Sequence, residues 1–283
     1  MLRISKGEKI MRKMKILMLI MFVWIGFGLM NCQAHADDEQ AKVTLNGSTS
    51  MEKLMNALKE GIQEEYQGLQ MEPQFTGSSS GIEAVLNQTT DIGNSSRPLK
   101  EIEKEKGIVE NIVAIDAIAV ITDQKNNVSH LTKEQLVQIY QGKIRNWQEV
   151  GGKNQPIVVI GREAGSGTRT AFEELLDIEN QCQYANEYNE TGPVMAKVGS
   201  IPGAIGYVSL DVIDKSVKMI AIDGVEASRD AIRSGQYLLQ RPFVMATYGP
   251  IEKQRKEVQA VFQYIKSESG QKIIESVGLI SPQ

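Results

Sequence analysis

The sequence predicts an α/β protein, and three observations carry that prediction. Apolar, β-branched runs alternate with stretches whose apolar residues recur at i, i+3 and i+4. The two kinds of run meet repeatedly at elbows made of Gly, Ser and Thr. No long linker, low-complexity tract or tandem repeat separates them, and 283 residues suffice for two lobes or one large domain with a real core. Alternation of this kind leads us to expect largely parallel sheets.

Each element has its own justification. The run Val43–Leu45 enters the elbow Asn46-Gly47-Ser48-Thr49-Ser50, after which Met51, Leu54, Met55, Leu58 and Ile62 share one helical face. Thr49, with Glu52 three residues on, reads as a capping box and sets the helix start there. A second elbow, Thr76-Gly77-Ser78-Ser79-Ser80-Gly81, precedes Ile82, Val85 and Leu86, with Ser80 and Glu83 as its capping box. A third, Asp91–Pro98, leads into a charged helical segment, with Pro98 suited to a first turn that needs no N–H. Ile112–Ile121 and Ile157–Ile160 read as buried strands, and Thr132 to about Gln141 as a helix ending at Gly142, before Trp147 and the Gly151-Gly152 turn. The fourth elbow is VVIGREAGSGTRTAF (158–172), whose helix turns Ala171, Phe172, Leu175 and Leu176 inward. Arg241–Gly249 reads as a returning strand, followed by a final helix carrying Val258, Val261, Phe262 and Ile265.

The N-terminus indicates export. Six bases and one acid precede the apolar run Ile16–Met30, and Ala34-His35-Ala36 supplies small residues for cleavage, so residues 1–36 are expected to be a signal peptide. The run is shorter than the roughly 20 residues of a membrane-spanning helix. Two cleavage points compete. Leu29-Met30-Asn31-Cys32 resembles a bacterial lipoprotein box, which would make Cys32 a lipidated first residue at the cell surface. Cleavage after Ala36 would release a soluble periplasmic or secreted protein.

Charge and composition exclude several classes. The chain carries −4, and without residues 1–36 it keeps 25 bases against 34 acids, a formal −9. A basic nucleic-acid surface is therefore not expected. Cys182 has no assured partner for a disulfide, and two His and two Cys in the whole chain argue against a His/Cys metal site.

The elbows suggest a different chemistry. The first N–H groups of a helix lack intrahelical partners and sit at its positive end, glycine lets an anion approach, and Ser and Thr add donors. One such elbow is ordinary capping; several, one of them holding Arg162 and Arg169, point to a shared oxyanion site. A nucleotide P-loop is excluded, because Gly161–Thr168 has no lysine. Gly77-Ser78-Ser79-Ser80-Gly81 matches the pattern of a hydrolase nucleophile elbow, with Ser79 at its centre, but His130 is the only histidine beyond the signal peptide. No Gly-x-Gly-x-x-Gly follows the first strand, and nothing marks a pair of catalytic acids.

The segments NGSTSM (46–51), TGSSSGI (76–82), DIGNSSR (91–97), LTKEQLVQIYQGKIRNWQEVGG (131–152), VVIGREAGSGTRTAF (158–172) and PGAIGYVSL (202–210) resemble, in order, those of the phosphate-binding proteins that serve high-affinity phosphate ABC importers. The resemblance implies a two-lobed, hinged periplasmic-binding-protein fold of type II, with the ligand in the cleft. Lobe one would comprise residues 41–119 plus 246–283 and lobe two residues 120–245, with crossings near Ala119–Thr122 and Phe243–Tyr248. Thr49, Ser50 and Ser78 would donate to phosphate from one lobe, and Arg162, Ser166, the Gly167 N–H and Thr168 from the other. Such a protein would be a monomeric receptor without cofactor, metal or catalytic residue, passing inorganic phosphate to membrane ABC permease subunits.

The sequence departs from the family pattern at one position. Some members have an aspartate, which accepts the proton of hydrogen phosphate and so rejects sulfate, where this chain has Ser96 followed by Arg97. Either Asp116, isolated in an apolar run, takes that role, or it is structural and discrimination is weaker. Arg97 is expected at the surface beside an acid such as Glu101, with an anion-donor role as the alternative. Glu163 is a candidate for holding Arg162, and Arg169 for the anion field or the lobe interface. A receptor for another tetrahedral oxyanion, sulfate or molybdate, and a secreted Ser-based hydrolase are the alternative functions.

Overall fold

A computed structural model of the chain describes residues 41–282; the expected signal peptide, with Cys32 and Ala36, lies outside them. The chain first builds a parallel three-stranded unit. Strand β1 (Ala41–Gly47) lies between β2 (Leu69–Phe75) and β3 (Ile92–Ser95), parallel to both. Helix α1 (Glu52–Glu65) covers it with Leu54, Met55, Leu58 and Ile62, the face its periodicity sets, and α2 (Ser78–Leu86) buries Ile82 and Val85.

Both expected capping boxes need correction. Ser48, not Thr49, caps a short 3₁₀ turn over Thr49–Met51, after which α1 begins at Glu52. The second helix starts at Ser78 behind Gly77, without a side-chain cap, so Ser80 lies inside it. In both cases the hydroxyl that would have capped lies elsewhere, because the helix begins at a different residue from the one its Ser/Thr-x-x-Glu spacing marks. Pro98 likewise precedes α3 (Glu101–Glu105) rather than sitting in its first turn.

After β4 (Ile108–Val109) comes the longest strand, β5 (Ile112–Asp123). The second lobe then follows in order: β6 (His130–Leu131), α4 (Lys133–Tyr140), β7 (Val158–Arg162), α5 (Gly167–Leu175), β8 (Asn186–Tyr188), α6 (Thr191–Ser200), β9 (Ala204–Ser209), β10 (Val217–Ile222) and α7 (Arg229–Arg233). Strand β11 (Gln240–Tyr248) returns to the first lobe, where α8 (Lys256–Lys266) and α9 (Glu268–Ser276) complete its core. Among the described residues, no helix is long and apolar enough to cross a membrane.

The sheets are mixed rather than largely parallel. Pairings β1–β2, β1–β3, β7–β8, β7–β9 and β6–β10 are parallel, but β5 and β11 run antiparallel to each other and to their other neighbours. The cause is topological: one strand leaves a lobe and the other returns, so the pair that joins the lobes has opposite directions. Strand β5 serves both lobes, pairing through Ala117 with β11 and from Ile118 with β9. The apolar cores change over at the same place. Val113, Ala114, Phe243 and Met245 pack with the first lobe, whereas Ala117–Val120, Tyr237 and Leu239 pack with the second. These changes fall a few residues before the crossings expected near Ala119–Thr122 and Phe243–Tyr248.

Between the cores, Asp116 faces Arg241 across the strand pair, their side chains 2.9 Å apart and both buried. Pro242, which has no N–H, sits opposite Ile115, whose N–H and C=O both bond Ile280 instead. The strand pair thus carries its proline without leaving a ladder group unpaired at that residue.

Candidate functional site

The first lobe supplies a wall of hydroxyls. Gly47 (φ +143°) leaves β1 so close to β3 that an added Cβ would stand 2.0 Å from the Asn94 carbonyl, a position open only to glycine. This approach sets the first elbow beside residues 94–96, and Ser48 N–H donates to Asn94 O at 2.9 Å. Ser48 Oγ accepts from the Ser50 N–H and donates to Ser96 Oγ at 2.8 Å. Ser78 Oγ accepts from the Ser96 N–H at 3.2 Å and lies 3.4 Å from Ser96 Oγ. Ser48, Thr49, Ser50, Ser78 and Ser96 are all buried.

The second lobe brings an arginine and a helix start against that wall. Arg162 ends β7, and Ser166 caps α5, accepting from the Arg169 N–H at 3.3 Å. Thr168 Oγ1 lies 2.7 Å from Ser50 Oγ and 3.4 Å from Ser96 Oγ. A Cβ on Gly167 would stand 2.3 Å from Ser78 Oγ, so the α5 backbone needs glycine to come this near. One main-chain bond also joins the elbows, Ser79 N–H to Gly165 O at 3.1 Å. Six of the expected positions, Thr49, Ser50, Ser78, Ser96, Arg162 and Thr168, therefore meet in one hydrogen-bonded cluster, with Gly167 packed against Ser78 and Ser166 one residue away.

Arg162 is 2% exposed. Its Nη2 donates to Thr49 Oγ1 (2.9 Å) and Asn189 O (2.8 Å), Nη1 to Thr191 Oγ1 (3.1 Å), and Nε to Tyr188 O (3.2 Å). Carbonyls of the 188–189 segment hold it, not Glu163. All four partners are neutral. Burial, with Arg241 nearby, holds this guanidinium down to about 10. A buried cation without a bonded carboxylate is costly to the fold and favours an anion as partner.

Arg241, Arg97 and Arg169 have carboxylate partners. Asp116 is not bonded to the hydroxyl cluster: its Oδ2 takes both Nε (3.0 Å) and Nη2 (2.9 Å) of Arg241, whose Nη1 donates to Ser96 O at 3.0 Å. The expectation that Asp116 receives the ligand's proton thus meets a carboxylate already paired, linked to the cluster only through Arg241. Arg97 is buried rather than on the surface, and its partner is Glu103, through two bonds of 2.9 and 2.7 Å, not Glu101. Arg169 forms ion pairs with Glu173 and Glu187 at 2.8 Å each and donates to Arg162 O, so it braces the end of β7.

Two participants carried no signal strong enough to single out. Ser48 was one hydroxyl among several in its elbow. Thr191 lies outside every quoted segment; the only hint was Pro193 two residues later, a mark of a helix start. His130 is exposed on β6, and among the described residues no hydrogen bond joins it to Ser79.

Two lobes joined by a pair of crossing strands, with donors converging from both, have the architecture of a two-lobed binding protein. Residues 33–269 match the family model described as the PBP superfamily domain. A phosphate-binding protein, PstS, of Bacillus subtilis is 31% identical over 250 residues, covering 86% of this chain and 82% of its own length. A putative phosphate ABC transporter substrate-binding protein of Clostridium perfringens, solved with bound phosphate, superposes with a TM-score of 0.80 at 36% identity, over 86% of this chain and 100% of that one. An ABC-type phosphate transport receptor of Vibrio cholerae gives 0.72 at 33%, with the same coverage. The chain belongs to the PBP superfamily, in the family of the phosphate-binding proteins PstS.

Proposed function

We propose that this chain binds inorganic phosphate between its lobes, outside the cytoplasm, and delivers it to a membrane ABC permease without transforming it. The observation that carries the proposal is Arg162, a buried guanidinium with only neutral partners, ringed by hydroxyls from both lobes. The hydroxyl pair Ser50–Thr168 and the Arg162 N–H donated to Thr49 Oγ1 bridge the lobes, and an oxyanion among these groups would draw donors from both sides. Closure would then be driven by the ligand, since charge-assisted bonds are roughly twice as strong as neutral ones.

In this reading Arg162, Thr49, Ser50, Ser78, Thr168 and the Gly167 N–H contact phosphate, and Ser166 contributes its hydroxyl hydrogen from the helix cap. Ser96 takes a separate part: its Oγ already accepts a hydrogen bond from Ser48 Oγ and keeps its own O–H and a second lone pair, so it serves as acceptor or donor according to the anion's protonation. Asp116 acts through Arg241 as a structural pair. The hinge lies at Ile115–Ala117 and Gln240–Pro242, where the cores change over. The relatives' names support the substrate and the permease partner. The basic and apolar N-terminus supports export, with Cys32 lipidation and cleavage after Ala36 separable by mass spectrometry of the mature protein.

Thermal-shift titration of the purified protein with phosphate, sulfate and molybdate tests the proposal. Phosphate should raise the unfolding midpoint by mass action. A shift with sulfate or molybdate and none with phosphate would replace the substrate. Among the described residues no carboxylate is bonded to the hydroxyl cluster, which favours weaker rejection of sulfate than a site with an acceptor acid.

A further inference from the structure

Thr191 opens α6 and is buried, at 4% exposure. Its Oγ1 stands 3.1 Å from Arg162 Nη1, 3.1 Å from Thr49 Oγ1 and 3.2 Å from Ser50 Oγ. It touches the arginine of one lobe and two hydroxyls of the other. The helix cap does not explain it, because the cap residue is Glu190 and Thr191 is already the first helical residue. Core packing does not explain it either, since a hydroxyl among polar atoms contributes no apolar contact that valine would not supply.

The protonation of this contact is fixed by chemistry. A guanidinium has no lone pair to offer, so toward Arg162 the threonine oxygen must accept. Its single proton is left to point toward Thr49 and Ser50, the region where lobe-one donors gather. Accepting from a cation polarises the O–H and makes it a better donor. The neighbouring carbonyls of Tyr188 and Asn189 take the Nε and one Nη2 N–H of the same guanidinium, so residues 188–191 orient Arg162, and Thr191 is the member of that segment whose hydroxyl joins the lobe-one cluster.

We propose that Thr191 is a further anion ligand of the cleft: its hydroxyl, set by Arg162, donates to the same tetrahedral oxyanion that Arg162 grips. The inference rests on the proposed function for the presence of that anion. It extends the site to a third element of lobe two, beyond the ends of β7 and α5.

Calorimetric titration of phosphate into the full chain, compared with Thr191→Ser, Thr191→Val and Thr191→Asp, tests it. The serine variant keeps the hydroxyl and should bind within about threefold of the parent. Valine keeps the shape without the hydroxyl and should weaken binding about 10- to 100-fold. Aspartate gives Arg162 a carboxylate, so binding should be lost while the ligand-free unfolding midpoint holds or rises, an outcome that a structural role for the hydroxyl would not produce. Valine or aspartate variants that bind as tightly as the parent, or a serine variant as weak as valine, would overturn the proposal. If the parent ignores phosphate but takes sulfate or molybdate, the same series read on that anion keeps or overturns the role of Thr191 while the phosphate reading falls. A parent that binds no tetrahedral anion overturns both.

Discussion

Two buried arginines in this protein have opposite partners. Arg241, between the crossing strands, shares one oxygen of Asp116 through two donors and ties the pair to the backbone at Ser96. Arg162, in the cleft, is as deeply buried but is held only by hydroxyls and carbonyls. The first has its counter-charge built in, and removing either partner would strand a buried ion. The second has no carboxylate bonded to it, and the proposed function gives that place to phosphate. On that proposal the contrast separates a built-in ion pair from a charge that waits for its partner.

The sharpest way to break the contrast is Arg162→Ala. Phosphate affinity should fall about a thousandfold or more, roughly 4 kcal/mol, while the ligand-free unfolding midpoint stays level or rises because an uncompensated charge has gone. A fall in that midpoint would mean that Arg162 is structural after all. Asp116→Asn should do the reverse, costing about 3 kcal/mol of stability, read as a midpoint lower by about 6–12 °C, with the phosphate-to-sulfate ratio unchanged. A shift in that ratio would return Asp116 to the ligand.

Gly167→Ala tests the closeness of the two walls rather than their charge. Its Cβ would stand 2.3 Å from Ser78 Oγ, so the lobes should close less tightly and bind phosphate about tenfold more weakly, roughly 1.4 kcal/mol. Unchanged affinity in calorimetry would show that Ser78 swings aside freely. A further prediction concerns pH. Burial, with Asp116 nearby, pushes Asp211 up to about 7 from the usual 3.8. The folded state therefore holds a proton that the unfolded chain releases, and stability contributed below pH 4 is lost as pH rises toward 7. Asp211→Asn should flatten that slope in thermal melts between pH 4 and 7; a slope identical to the parent's would assign the titration elsewhere.

Much of this was legible in the sequence for local reasons. The elbows, the amphipathic face of α1 and the strands at 112–123 and 240–248 follow from periodicity and turn chemistry. The elbow hydroxyls and Arg162 were marked because small polar residues before a helix, with an arginine ending the preceding strand, suit an anion. What escaped was set by register. Asp116 meets Arg241, 125 residues away, only because two antiparallel strands align them, and no local pattern records that alignment. Thr191 escaped similarly, since its place depends on how α6 packs on β9 and β7. The capping boxes misled for the converse reason. Their spacing is present, but the Thr49 hydroxyl is drawn into cross-lobe bonds with Arg162 and Thr191, and α2 begins at Ser78, which leaves Ser80 inside the helix; local spacing encodes neither.

The depth of Arg162 has a consequence for the speed of capture. An approaching anion meets a chain whose formal charge is −4 even before any N-terminal bases are removed, and it feels the guanidinium only at the end of its path. Long-range forces between exposed charges fade beyond about 8 Å at physiological salt, whereas a buried contact is little screened. Added neutral salt should therefore speed association, by damping repulsion at a distance, while changing the dissociation rate much less. A protein that displayed its arginines at the surface would show the opposite trend, so the salt dependence of the on-rate measures how far inside the molecule its positive charge is kept.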